Sequence, residues 1–164
     1  MSRQFKNGTA FPNEGFVQQA IEAYFAHLGY SLHTDTDVDL ICTASDGRAS
    51  WHIEAKGKTR QVGLDFRTCL GQLLQRMHLP HAQHGVAVPD IDVYRRQIAK
   101  VSPWVVAALG LHWLLIDAAG SVTIVAPDHD RQLLPGRAAR SASTESEFEE
   151  DATVAVALGR DLGC

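Results

Sequence analysis

From Asn13 to Tyr30 the apolar residues Phe16, Val17, Ala20, Ile21, Tyr24, Phe25 and Leu28 recur at helical spacing, which predicts a first helix. Asn13 is placed to cap it and Gly29 to stop it. A short extended run, Tyr30 to Thr36, leads into Val38 to Ala44, which alternates apolar and polar positions. Ser45-Asp46-Gly47-Arg48 follows, and then a further alternating run from Ala49 to Lys56. Asp-Gly between two alternating runs predicts a β-hairpin turning on Asp46 and Gly47, because a two-residue type I′ turn needs positive φ at both central positions.

Downstream, Leu64, Phe66, Leu70, Leu73, Leu74 and Met77 share one helical face over Leu64 to Leu79, and Pro80 ends the run. Gly85 to Val88 reads as a buried strand, and Ile91 to Leu109 as a helix interrupted at Pro103. His112 to Asp117 and Ser121 to Ala126 form a second hairpin around Ala118-Ala119-Gly120. The predicted order is α, β, β, β, α, β, α, β, β, an α/β chain with a mixed sheet flanked by helices. With 164 residues, 45% of them hydrophobic, one core is affordable and two are not. Residues 1–126 therefore read as one domain. From Pro127 the Pro, Gly, Arg and Ser content and the acidic cluster Glu145 to Asp151 give residues 127–164 the character of a loosely ordered tail.

The first hairpin carries the chemistry. With Asp46 and Gly47 at the turn, Asp39 falls opposite Glu54, and cross-strand partners share a face. Asp39, Glu54 and Lys56 then project together, with His52 on the same side, while Val38, Leu40, Cys42, Trp51, Ile53 and Ala55 fill the other. One face is expected to be core and one to carry charge. Directly opposed carboxylates destabilise a sheet by a few tenths to about 1 kcal/mol, so a shared cation is the natural compensation. Two carboxylates, a backbone carbonyl such as that of Ala55, and waters suit Mg²⁺, which prefers octahedral oxygen ligation; Mn²⁺ is the expected substitute. A lysine two residues beyond the second acid reaches the same place, where it can orient or help deprotonate the attacking water and offset charge on phosphoryl oxygens. That is the machinery of metal-assisted phosphodiester hydrolysis.

Charge and cysteine content narrow the setting. The net charge is -4, yet residues 48–100 hold nine Lys or Arg against four acids, so the middle of the chain is basic. Lys58 and Arg60, in the loop after the Glu54 strand, and Arg76 are candidates for phosphate contacts. Cys42 and Cys69 lie inside apolar patterns and read as buried thiols, not as a disulfide frame. No apolar run approaches the roughly 18 residues of a membrane span, and no secretory signal is evident, so a cytoplasmic location is expected.

Val38-Asp39-Leu40, the Asp-Gly hairpin, and Ile53-Glu54-Ala55-Lys56 together resemble the PD-(D/E)xK nuclease superfamily, with its restriction-endonuclease-like fold. The superfamily core runs α, β, β, β, α, β, and residues 13–88 are expected to reproduce it, with an added C-terminal helix and β-hairpin. The resemblance implies an endonuclease acting on nucleic acid, DNA before RNA, that leaves a 5′-phosphate. It implies a metal-binding glutamate in the first helix, for which Glu22 is the match and Glu14 the fallback. It implies a catalytic glutamine after the third strand, for which Gln72 in Gly71-Gln72-Leu73-Leu74 is the match. No proline precedes Asp39, and Arg76 stands where some subfamilies have tyrosine. Proteins of this kind serve restriction, phage defence and mobile elements. A lone domain has little surface for reading sequence, so a homodimer or a larger complex is expected. The alternative is a non-catalytic nucleic-acid-binding or assembly subunit on the same fold.

Overall fold

In a computed structural model of the chain, residues 8–34 and 38–128 are described. The elements are α1 (Glu14–His27), β1 (Ser31–His33), β2 (Leu40–Thr43), β3 (Ser50–Ala55), α2 (Val62–Gln75), β4 (Gln83–Pro89), α3 (Asp92–Ile98), α4 (Pro103–Leu109), β5 (Leu111–Ile116) and β6 (Val122–Val125). The first six run α, β, β, β, α, β, in the expected order. The tail expected from Pro127 lies, from residue 129 onward, outside the described residues.

Helix α1 begins where the pattern placed it, although Asn13 sits at the N-cap without a side-chain cap hydrogen bond. Its end is tied by two reversed bonds, Gly29 N–H to the Ala26 carbonyl and Tyr30 N–H to the Phe25 carbonyl, and the Phe25 and Tyr30 rings meet edge to face. Helix α2 stops at Gln75, four residues short of Leu79, with Arg76 at its C-cap. The helix expected over Ile91 to Leu109 is two helices. Pro103 opens the second, a position where a proline's missing N–H costs nothing.

The six strands lie in sequence order, β1 to β6. β1–β2, β2–β3 and β5–β6 pair antiparallel, and β3–β4 and β4–β5 parallel. Both parallel connections step the same way along the sheet, so a common right hand puts α2, α3 and α4 over one face. Helix α1 covers the other. Under α1 lie Val17, Ile21 and Phe25 with Leu40, Cys42, Trp51, Ile53 and Ala55. Under α2–α4 lie Val62, Phe66, Cys69 and Leu73 with Val86, Val88 and Trp113. The expectation of one core face and one charged face is thus corrected. Both faces are covered, and the Glu54 carboxylate sits beneath a helix, because parallel strands need crossover helices that close the second face.

The hairpin turn also differs. Ala44 and Ala49 still pair, and the Gly47 N–H bonds the Ala44 carbonyl, so the loop is the four residues Ser45 to Arg48. Gly47 takes the left-handed conformation expected at the turn's glycine, with φ 69°. The extra residues are added evenly on both sides, and the register is unchanged: Leu40 opposes Ile53, Ile41 opposes His52, and Cys42 opposes Trp51.

Candidate active site

Asp39 stands at the bend immediately before β2. Extending the ladder one step beyond Leu40–Ile53 sets it opposite Glu54. Its Oδ2 accepts a hydrogen bond from the Ala55 N–H at 3.0 Å. Lys56 follows β3, its N–H bonded to the Ala87 carbonyl at 2.9 Å. Its Nζ lies 3.9 Å from Asp39 Oδ2 and 4.0 Å from Glu14 Oε2. The strand exit is clamped on both sides. A Cβ on Gly57 would fall 2.0 Å from the Glu14 backbone nitrogen, so only glycine lets β3 pass the first turn of α1. The Tyr94 hydroxyl donates to the Gly57 carbonyl at 2.7 Å, and the Lys58 N–H donates to the Pro12 carbonyl at 2.8 Å.

Glu54 is 2% exposed. Its Oε1 accepts from the Arg76 guanidinium at the end of α2. Burial, and then the nearby Asp39 carboxylate, push Glu54 up to about 7, against the pull of Arg76 and Lys56. For Lys56, burial works to lower the ammonium, but Glu14 and Asp39 outweigh it and hold the group above its ordinary value. Lys56 is therefore a charged donor at neutral pH and not a base. Cys69, beneath α2 on the same face, is pushed up by burial, so it is an inert thiol. Cys42, on the α1 face, is likewise raised by burial, to about 12.

Asp39, Glu54 and Lys56 come together, with Glu14 joined to them through Lys56. Glu22 is one step removed: it accepts from Gln18 Nε2 at 2.7 Å, and the same nitrogen reaches the Asp39 carbonyl at 3.3 Å. Gln72 is half-buried on α2, three residues past Cys69 and four before Arg76. Lys58 and Arg60 are exposed in the loop after Lys56. Arg76, expected on the nucleic-acid surface, is instead paired with Glu54. Sequence reasoning missed that pairing, the Tyr94 clamp and the role of Gly57. The one available signal was the apolar stripe of α2, which continued by one turn reaches position 76.

The donor set bears on the metal. Among the described residues no group of three or more His, Cys, Asp or Glu is arranged to hold an ion. What remains is two neighbouring carboxylates, Glu54 paired with Arg76 and Asp39 within 3.9 Å of the Lys56 ammonium. That suits Mg²⁺ bound through one or two carboxylates and otherwise by water or substrate oxygens, and it does not suit a closed protein cage.

The class defined by this fold and site is an α/β protein with a mixed six-stranded sheet and a carboxylate–lysine cluster where β3 leaves the sheet. No protein-family model and no curated protein sequence matches the chain. Among solved structures, an XisH family protein from Nostoc punctiforme is similar, with a TM-score of 0.46 and 12% identity, over 68% of this chain and 98% of that one. No helix of the described residues is long and apolar enough to cross a membrane.

Proposed function

We propose that this protein is a Mg²⁺-dependent nuclease that hydrolyses phosphodiester bonds, with DNA as its expected substrate, in a restriction, defence or mobile-element setting. The observation that carries the reading is the convergence of Asp39, Glu54 and Lys56 at one strand end, with Lys56 held charged beside the acids. Asp39 and Glu54 would hold the ion, with the Ala55 carbonyl beside them. Bound there, Mg²⁺ supplies Lewis-acid polarisation of the phosphoryl group and a water acidified towards neutrality. Lys56 orients that water and places a permanent positive charge against the phosphoryl oxygens, a charge the Glu14 and Asp39 carboxylates maintain despite burial. Gln72 is assigned to ordering the same water, Glu22 to supporting Asp39 through Gln18, and Lys58 and Arg60 to backbone phosphates of the substrate. A homodimer would supply the reading surface that one domain of this size lacks.

The test is cleavage of single- and double-stranded DNA and of RNA by the full chain, with Mg²⁺ or Mn²⁺ and with chelator. Metal-dependent cutting that Lys56→Ala loses is the expected result. A wild type that cuts nothing beyond the Lys56→Ala control would defeat it. The second reading, a nucleic-acid-binding or assembly subunit, is favoured by one observation: Glu54 already has a counter-ion in Arg76. It expects binding without turnover under every metal condition.

A further inference from the structure

The Glu54–Arg76 pair lies where the proposed metal would bind, and how it is built bears on how an ion enters. The inward stripe of α2 is Val62, Phe66, Cys69 and Leu73, all buried, and Arg76 is the next position along it. The helix thus delivers the guanidinium to Glu54 through its own periodicity. The two ends of the pair differ in exposure: the Glu54 side chain is 2% exposed and that of Arg76 25%. Arg76 is also the first residue beyond the last turn of α2, on a long stem, so its side chain can leave without disturbing the stripe behind it. Glu54 cannot leave. A carboxylate so deeply placed must keep a cation or take a proton. Lys56 contributes less to that role than Arg76, since its ammonium lies against Asp39 and Glu14.

We propose that Arg76 is an exchangeable counter-ion for Glu54: it holds the carboxylate until a divalent ion takes it, and the displaced guanidinium then turns to a nucleic-acid phosphate. This rests on the nuclease reading and adds a regulation of the same site. A guanidinium and a divalent cation on one buried carboxylate repel each other, so each weakens the other's hold there. Entry of the ion therefore releases a planar fork of donors suited to phosphate, at the mouth of the same site. By linkage the effect is reciprocal: phosphate that captures Arg76 strengthens ion binding, and the ion strengthens phosphate binding. Ion and substrate would then load together.

The experiment measures Mn²⁺ binding to the full chain by electron paramagnetic resonance of the free ion, without any turnover, alongside thermal melts with and without Mn²⁺. Arg76→Met keeps the apolar stem and removes the competitor, so Mn²⁺ should bind about tenfold more tightly. Mn²⁺ should also raise the melting temperature of that variant by more than it raises the wild type's. Arg76→Lys should fall between the two. Mn²⁺ affinity in Arg76→Met equal to or weaker than wild type overturns the exchange. If Arg76→Met and Arg76→Gln both fail to fold even with millimolar Mn²⁺ present, the exchange is also overturned, since the ion then cannot replace the guanidinium. Glu54→Gln separates the two ideas. If it binds Mn²⁺ as well as wild type, the metal seat and the nuclease reading fail together; if it loses Mn²⁺ while Arg76→Met is unchanged, the exchange alone fails.

Discussion

Beneath α1 the sheet offers Leu40, Cys42, Trp51, Ile53, Ala55, Ala87, Leu114 and Ile116, with the half-buried His112 ring against Trp51. Beneath α2, α3 and α4 it offers Val86, Val88, Leu111 and Trp113, but also His52, Glu54 and His84, each at least nine-tenths buried. Both faces are closed by helices, so covering alone does not explain the difference. Burying an ionisable group costs free energy that an apolar side chain of like volume would not. The sheet thus separates its charges: the buried carboxylate and two imidazoles lie on the α2 face, while the buried ionisable group of the α1 face is the Cys42 thiol, which burial keeps neutral.

That separation is open to direct attack. The largest effect should come from Lys56→Ala, which is expected to cut cleavage by on the order of a hundredfold or more while melting near the wild-type temperature, as activity assays and thermal denaturation would show. Ile53→Ala, three residues earlier and facing α1, should do the reverse. It is expected to cost about 2 to 5 kcal/mol in chemical denaturation and to leave the folded fraction fully competent. If both variants lost stability equally, the division between faces would be wrong. Gly57→Ala should do both kinds of damage. The methyl meets the backbone of α1 at its first turn, so β3 or α1 must shift and Lys56 with them. A Gly57→Ala protein with wild-type stability and activity would mean the clamp is irrelevant.

A smaller effect follows from the raised Glu54. A proton and an ion compete for this carboxylate, so apparent Mn²⁺ affinity should climb as pH rises through about 7 and level off above it. Titrating Mn²⁺ at several pH values checks this, and a flat profile between pH 6 and 8 would place the ion elsewhere.

How much of this was legible in the sequence depends on the range of the interaction. Hairpin register was, even though the turn is four residues and not two, because symmetric lengthening leaves paired positions paired. The stop of α1 at Gly29 was, since its hydrogen bonds span only five residues. The approach of Glu14, and not Glu22, to Lys56 was not. It turns on Gly57 passing the first turn of α1, a contact between segments more than forty residues apart that no periodicity records. Nor was the burial of Glu54, because alternation in β3 says which residues share a face and not what lies over it. Arg76 looked like a surface charge for the same reason: its partner lies on another element.

The smallest expected effect tests the α2 face where no catalytic role is assigned. His52 and His84 are register partners on β3 and β4, their rings 5.5 Å apart, and among the described residues His52 Nδ1 and His84 Nε2 have no hydrogen-bond partner. Burial lowers both below the ordinary imidazole value, and for His84 the neighbouring His52 lowers it further, against a hydrogen bond to the Ala82 backbone. The unfolded chain then takes up these protons before the folded one does. Their contribution is fully present above the unfolded value of about 6.5 and is lost as pH falls towards the folded values. Glu54 acts in the opposite sense, with stability greatest below about 4.5 and declining as pH rises through about 7. Lowering the pH from 7 to 5 therefore sets a histidine penalty against a glutamate gain. His84→Phe removes part of the penalty while keeping an aromatic ring in the gap. Its melting temperature should fall less than the wild type's, or rise, over that interval, by on the order of a few degrees. Ile53→Val on the α1 face should shift the melting temperature by the same amount at both pH values. An unchanged pH response in His84→Phe would mean that the buried imidazoles do not set the acid limit of this fold.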